Sequence, residues 1–348
     1  MSEDRASEAG VIRLVRAMAA RGGAAPGVRL GIGDDCAVLE MAGGGTLLAT
    51  TDLLVEDIHF RRRWAEPADL GWKALAVNLS DVAAMGGVPR WALVALALPE
   101  ETRPDEVQAF YEGALALAAV HHVAIVGGDT SASPSGWTIN VTLLGEAEHA
   151  PILRSTARVG DVVAVTGALG RSGAGLALLE RETAPAGLDA GVLAELTGAH
   201  LRPQPRVSEG RWLASTGLVT AMMDLSDGLA IDLARLGAES GVGSRVDVER
   251  LPIDAATKAL AGALGVSAQP WATSAGEDYE LLLTCAPPAL AGLRAGLLER
   301  CGTPLTAVGE IVPGRGVRWV DARGADVAVA PGFEHFSPRA AAGTPSRG

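Results

Sequence analysis

The stretch Gly31-Ile32-Gly33-Asp34-Asp35-Cys36 (GIGDDC) opens like the turn of a dinucleotide-binding fold and then leaves that pattern. The dinucleotide fingerprint needs a third glycine three residues after Gly33, and this chain has Cys36 there. A P-loop needs Gly-Lys-Ser/Thr, which occurs nowhere in the 348 residues. Two carboxylates stand where a phosphate would meet neutral backbone amides. The doubly wound nucleotide-binding folds are therefore set aside, and the turn needs another purpose.

Outward from this turn, the pattern is mixed. Residues 11–20 (VIRLVRAMAA) read as a short amphipathic helix, and GTLLATTDLLV as a strand with a polar end at Thr50-Thr51-Asp52. From Asp69 to Met85, Leu75, Leu79 and Val82 recur at helical spacing until Gly86-Gly87 stop the helix. RWALVALALP is strand-like, and PDEVQAFYEGALALAAVH is helical with Pro104 near its start. VAIVGGD reads as a buried strand ending in glycines, and WTINVTLLGEA alternates as a further strand. Around HAPILRSTARVGD the pattern restarts: strand DVVAVTG, a Gly/Ala/Leu helix, the Pro-bounded loop HLRPQPRV, strand LVTAMMDLS, helix DGLAIDLARLGAES and strand SRVDVER. YELLLTC, the helix PPALAGLRAGLLER and strands near TAVGEIV and VRWV complete it. Regular βα alternation is missing, so the fold class is α+β in two domains, 1–150 and 151–336, with a disordered tail at 337–348.

Composition narrows the function classes. Apolar residues make up 48% and charged ones 20%, enough to bury a sizeable core, while the net charge of −12 and the lack of a basic block exclude nucleic acid as a partner. Lys73 and Lys258 are the only lysines. Three widely spaced cysteines form neither a zinc pattern nor a disulfide framework, which fits a cytoplasmic location. The acidic start is unlike a signal peptide, and no apolar run approaches the roughly 18 residues of a membrane span.

Aspartates recur at element ends and turns: Asp34-Asp35, Asp52, Asp129, and Asp224 with Asp227. Each alone is a common turn residue or helix cap. Asp81 is different, because it lies inside a helix three residues after Asn78, and both are poor helix formers. Either a solvated outer face or a shared ligand accounts for that pair. In MMDLSDGLAIDLARL, Ser226 or Asp227 is placed to cap a helix, but capping explains one residue, not Asp224, Ser226 and Asp227 together. Carboxylates and hydroxyls gathered with almost no sulfur or imidazole suit a hard cation, Mg²⁺ or Mn²⁺; EF-hand spacing for calcium is absent. With so few lysines, phosphate handling would depend on metal for countercharge. The residues thus point to Mg²⁺-dependent phosphate chemistry.

In order, GIGDDCAVL, TTDLLVEDIHF, KALAVNLSDVAAMGG, VGGDTS, LRSTARVGD, HLRPQPR, MDLSDGLAIDL and GEDYELLLT resemble the thiamine-monophosphate kinase family, over residues 28 to 336. The resemblance implies ATP-dependent phosphorylation of thiamine monophosphate to thiamine diphosphate. It also implies the two-domain fold shared with aminoimidazole ribonucleotide synthetase: an N-terminal α/β domain that dimerises and a C-terminal α+β domain. Asp35, Thr50, Thr51 and Asp52 fall on magnesium-binding positions of the family, with Asp34 beside them. Asp81 matches a carboxylate that bridges several magnesium ions. Gly128 and Asp129 match ATP-phosphate and metal positions, Arg154 an ATP contact, and Asp224, Ser226 and Asp227 a metal, nucleotide, metal series. Tyr111 is placed near the adenine. His59, Glu277 and Phe333 match contacts to thiamine monophosphate. Without the family, His59 reads as a structural histidine, Glu277 as part of a turn and Phe333 as a tail aromatic.

Asp57 stands where the family often has glycine, Ala275 replaces a common second glycine, and Phe333 lacks the polar tip of the usual Tyr or Trp. The implied chemistry is direct in-line transfer with several Mg²⁺ ions, ATP as co-substrate and a homodimer as the assembly. Other ATP-using enzymes of the same fold, and a non-catalytic nucleotide-binding regulator, are the alternatives. Selenophosphate synthetase would need a reactive Cys or Sec near the N-terminus, where the first 30 residues have no Cys.

Overall fold

The computed structural model describes residues 7–23, 25–181 and 183–334; the tail expected at 337–348 lies outside them. The first half runs α1 (Glu8–Ala20), β1 (Val28–Leu30), β2 (Ala37–Glu40), β3 (Thr46–Val55), α2 (Pro67–Ala84), β4 (Val88–Leu98), α3 (Pro104–His121), β5 (Ala124–Ala132) and β6 (Thr138–Glu146). Its six strands form one sheet in the order β1-β2-β3-β6-β4-β5, antiparallel except for the parallel pair β4–β5. The second half runs β7 (Val162–Thr166), α4 (Arg171–Leu179), α5 (Ala190–Leu201), α6 (Val207–Thr216), β8 (Val219–Asp224), α7 (Leu229–Ser240) and β9 (Gly243–Asp247). It continues with α8 (Ala255–Leu264), α9 (Gln269–Ser274), β10 (Leu281–Cys285), α10 (Leu290–Cys301), β11 (Leu305–Val312) and β12 (Gly316–Val320). The second sheet has the order β12-β9-β11-β7-β10-β8, with β9–β12 its parallel pair. The α+β class read from the sequence is the one observed.

Helix α2 joins the halves. Pro67 and a capping box between Glu66 and Asp69 start it, and Gly86, at φ +70°, ends it. Its sequence is apolar nearly all round, as a helix buried on all sides must be. It packs on β3, β4 and β6 of the first sheet and reaches β8 and α6 of the second. Even its polar Lys73, Asn78 and Ser80 are buried. Helices α2 and α3 meet backbone to backbone. A Cβ on Gly71 would lie 1.8 Å from the Phe110 carbonyl oxygen, and one on Gly113 1.8 Å from that of Ala68. One core holds Leu48 and Leu143 from the first sheet together with Leu281 and Leu283 from the second.

Strand β6 shows how the first sheet is sided. Ile139, Val141 and Leu143 are buried, and Thr138, Asn140 and Thr142 alternate onto the other face. That outer face also exposes Leu53, Trp91 and Leu93. Two local expectations fail. The segment 123–129 is not a buried strand: β5 is the exposed edge of the sheet, bonded among the described residues to β4 alone. Its Gly-Gly-Asp-Thr-Ser run offers few apolar side chains to bury, so it takes the edge. The N-cap of α7 is Gly228, at φ +101°, and neither Ser226 nor Asp227. Arg235 engages the Asp227 carboxylate, and Asp232 Oδ2 accepts from the Asp227 N–H at 3.0 Å.

Candidate active site

Three carboxylates from distant parts of the chain converge where the halves meet. Asp35 comes from the glycine turn before β2, Asp81 from α2, and Asp224 from the last position of β8. One oxygen from each lies within 4.8 Å of the others. Each is held from behind. Thr50 Oγ1 donates to Asp81, Ser80 Oγ donates to Asp224 Oδ2 at 2.6 Å, and Arg154 donates to Asp35. Asp34 takes a different part, accepting from the Asp35 N–H at 3.0 Å and the Arg154 N–H at 3.1 Å. It fixes the turn from within. Gly33 sits at φ +137°, a backbone conformation that side-chain-bearing residues rarely adopt, so the turn calls for glycine on backbone grounds.

The electrostatics follow from crowding. Burial pushes the Asp35 and Asp81 carboxyls well above the ordinary range, with neighbouring aspartates adding to the shift. Asp52 is pushed up to about 7 by burial and then by Asp224 and Asp227, and Asp224 to about 6, mainly by burial. Asp35 Oδ2 is buried without a hydrogen-bond partner among the described residues. An orphaned carboxylate oxygen among raised carboxyls is the signature of a site built to face positive charge. The donor set is all oxygen, which fits a hard divalent cation. Cys36 is buried, and burial followed by Asp81 and Asp35 pushes its thiol well up, so it is no thiolate ligand.

These groups line a cleft of about 1150 Å³ that also holds Asp52, His59, Arg154, Ser226, Asp227, Glu277 and Phe333. His59 Nδ1 accepts the Val55 N–H at 3.0 Å, which places the ring proton on Nε2. Glu277 adopts φ +58°, and its N–H is held by the Ser226 carbonyl at 2.8 Å. Phe333 is fixed through its N–H to the Asp227 carbonyl at 3.0 Å. Thr50 and Asp52 share one face of β3, while the Thr51 hydroxyl turns to the other, bonding Val141 O at 3.1 Å.

Gly128 and Asp129 lie on the exposed β5 edge, away from the cleft lining, and Tyr111 packs edge-on against Phe110 on α3. Gly128 has a backbone reason to be glycine, since a Cβ would lie 1.7 Å from the Val94 carbonyl oxygen. Sequence reasoning missed Ser80, Lys73, His200 and Trp64. A lysine inside the apolar run WKALAVNL was a usable signal for Lys73. Trp64, with Arg61 over its ring at 4.5 Å, borders the cleft and gave none.

The chain matches the family described as AIR synthase related protein, N-terminal domain, over residues 33–147, and its C-terminal domain counterpart over residues 158–321. The thiamine-monophosphate kinase of Bacillus subtilis (strain 168) is 41% identical over 256 residues, 73% of this chain and 77% of its own length. That of Rhodopirellula baltica is 39% identical over 303 residues, 84% and 86% of the two chains. A structure described as AaThiL complexed with AMPPCP and TMP is 34% identical, with a TM-score of 0.81 over 97% of this chain and 100% of that one.

Proposed function

The chain belongs to the thiamine-monophosphate kinase family of AIR synthase-related proteins, and from that premise we propose how its cleft performs the reaction. It is an ATP-dependent kinase that converts thiamine monophosphate to thiamine diphosphate. The observation that carries the proposal is the Asp35–Asp81–Asp224 cluster, with its orphaned oxygen, in one cleft with Glu277, His59 and Phe333.

The three clustered carboxylates are the centre of a magnesium-binding set that takes in Thr50, Asp52 and Asp227, while Asp34 holds the turn and the Thr51 hydroxyl stays on the other face of β3. Magnesium bound there supplies countercharge and alignment for two phosphate-bearing substrates. Arg154 and Ser226 face ATP, while Glu277, His59 and Phe333 face the thiamine moiety. The accepting phosphate oxygen is already ionised at neutral pH, so direct in-line transfer needs no general base. An all-carboxylate centre suits that requirement, because the residues only have to hold the cations that align and neutralise the phosphates.

The assembly is a homodimer closed over the outer face of the first sheet. The support is the apolar set Leu53, Trp91 and Leu93 left exposed there, beside the unpaired β5 edge with Val126. Gly128 and Asp129 lie on that same edge, so this arrangement gives a second copy's Asp129 a route to the ATP phosphates and metal. A cytoplasmic location accords with three unpaired cysteines, and no helix among the described residues is long and apolar enough to cross a membrane. The test is a product assay with purified protein, ATP, thiamine monophosphate and Mg²⁺. Thiamine diphosphate should form only when all three are supplied; ATP hydrolysis indifferent to thiamine monophosphate would refute the assignment.

A further inference from the structure

Behind Glu277 lies a charge that the cleft chemistry does not use. Lys73 is only 2% exposed, and its ammonium lies 2.8 Å from Glu277 Oε1 and 3.5 Å from the His59 carbonyl oxygen. A buried ammonium needs a paired carboxylate to be tolerated. That carboxylate is held twice, since its Oε2 lies 3.2 Å from His200 Nδ1, and Ser172 Oγ is 3.0 Å from the same nitrogen. Lys73 is on α2, His200 on α5 and Ser172 on α4, so three elements from both halves converge behind one side chain.

The backbone tells the same story. Glu277 and Tyr279 both sit in the left-handed region, at φ +58° and +49°, which non-glycine residues adopt at a strain. Hydrogen bonds from their N–H groups to Ser226 O and Leu225 O hold them there. Burial works to raise the Glu277 carboxyl, yet the Lys73 ammonium brings it below its ordinary value. Burial and Lys73 lower His200 to about 4, so the ring beside Glu277 is neutral and Lys73 is the cation that the carboxylate faces. The carboxylate facing the cleft is thereby fixed in place before any substrate arrives.

We propose that Lys73 is a positioning residue for thiamine monophosphate: it touches no substrate, but orients Glu277 and keeps it ionised as the acceptor for the cationic thiamine moiety. This rests on the reading of Glu277 as a substrate contact. Because that contact is remote from the transferred phosphoryl group, it is made equally in the bound and transition states. Its loss therefore falls on KM and spares kcat.

The experiment is steady-state kinetics of Lys73→Met, Glu277→Gln and the double variant, varying each substrate at saturating levels of the other. Lys73→Met should raise KM for thiamine monophosphate about tenfold or more, with kcat within about threefold and KM for ATP unchanged. The double variant should be no worse than the worse single, since both remove one contact. If Glu277→Gln leaves KM for thiamine monophosphate unaltered, the reading of Glu277 fails and the proposal with it. If Glu277→Gln raises that KM and Lys73→Met does not, the proposal alone is overturned. A Lys73→Met loss shared equally by both substrates, or confined to kcat, makes Lys73 a structural tie and also overturns it.

Should Lys73→Met not fold, Lys73→Gln keeps a donor without the charge. The same readouts then apply to that variant: a rise in KM for thiamine monophosphate alone supports the proposal, and a KM close to wild type counts against it.

Discussion

Ser80 and Asp81 are consecutive on α2 yet serve different carboxylates. Asp81 accepts from Thr50, while Ser80 reaches across to Asp224, 144 residues away in sequence. The two roles predict different losses. Asp224→Asn, like Asp81→Asn, removes a centre ligand and should lower turnover by about 10³-fold or more, with circular dichroism unchanged. Ser80→Ala leaves the ligand in place but frees its rotamer, so turnover should fall only about tenfold and recover partly at high Mg²⁺. Equal losses in Ser80→Ala and Asp224→Asn, or near-normal turnover in Asp224→Asn, would contradict this division of labour. The carboxylates themselves were legible, because aspartate at so many element ends exceeds what capping requires. Ser80, Lys73 and His200 were not, since their meaning lies in partners far along the chain and a serine in a helix carries no local signal.

At the scale of elements, α2 is the member that brings both halves to the cleft, and its seat against α3 depends on two glycines. Alanine at Gly113 would favour helix by propensity but place its Cβ against the Ala68 carbonyl oxygen at 1.8 Å. Backbone cannot give way as a side chain end can, so the helices must separate. Gly113→Ala should destabilise the protein by about 2 kcal/mol, read from the midpoint of urea unfolding. An unchanged or raised midpoint would show that the crossing has slack. Helix α2 was readable from Leu75, Leu79 and Val82 at helical spacing and from the Gly86-Gly87 stop, although its burial on all sides blurs any one-sided period. The short strands β1 and β2 have too few residues for any period to show. The apolar start of β5 signals burial in the sequence, whereas burial depends on which strands flank it, and that is set by sheet order.

The whole molecule carries two further consequences. The exposed apolar face of the first sheet predicts that Leu93→Arg yields a monomer by sedimentation, with activity reduced because Asp129 sits on the same surface. A variant that stays dimeric, with unchanged activity, would place the interface elsewhere. The acidic centre also links stability to pH and to metal. In metal-free protein, Asp52 titrates at about 7 and Asp224 at about 6, against 3.8 for an unperturbed aspartate. The native state therefore binds more protons than the unfolded chain between those values, so stability from these groups is full below pH 4 and is lost as pH rises towards 7. Removing one carboxylate should remove part of that slope. In EDTA, the Tm of wild type should fall relative to Asp52→Asn as pH goes from 5 to 8. Magnesium selects the ionised form, so its stabilising effect should grow over the same range and close the gap between the two proteins. Parallel Tm curves for wild type and Asp52→Asn in EDTA would mean that the carboxylates are not crowded enough to oppose one another's ionisation. The need for a cation at the centre would then have to rest on substrate charge alone.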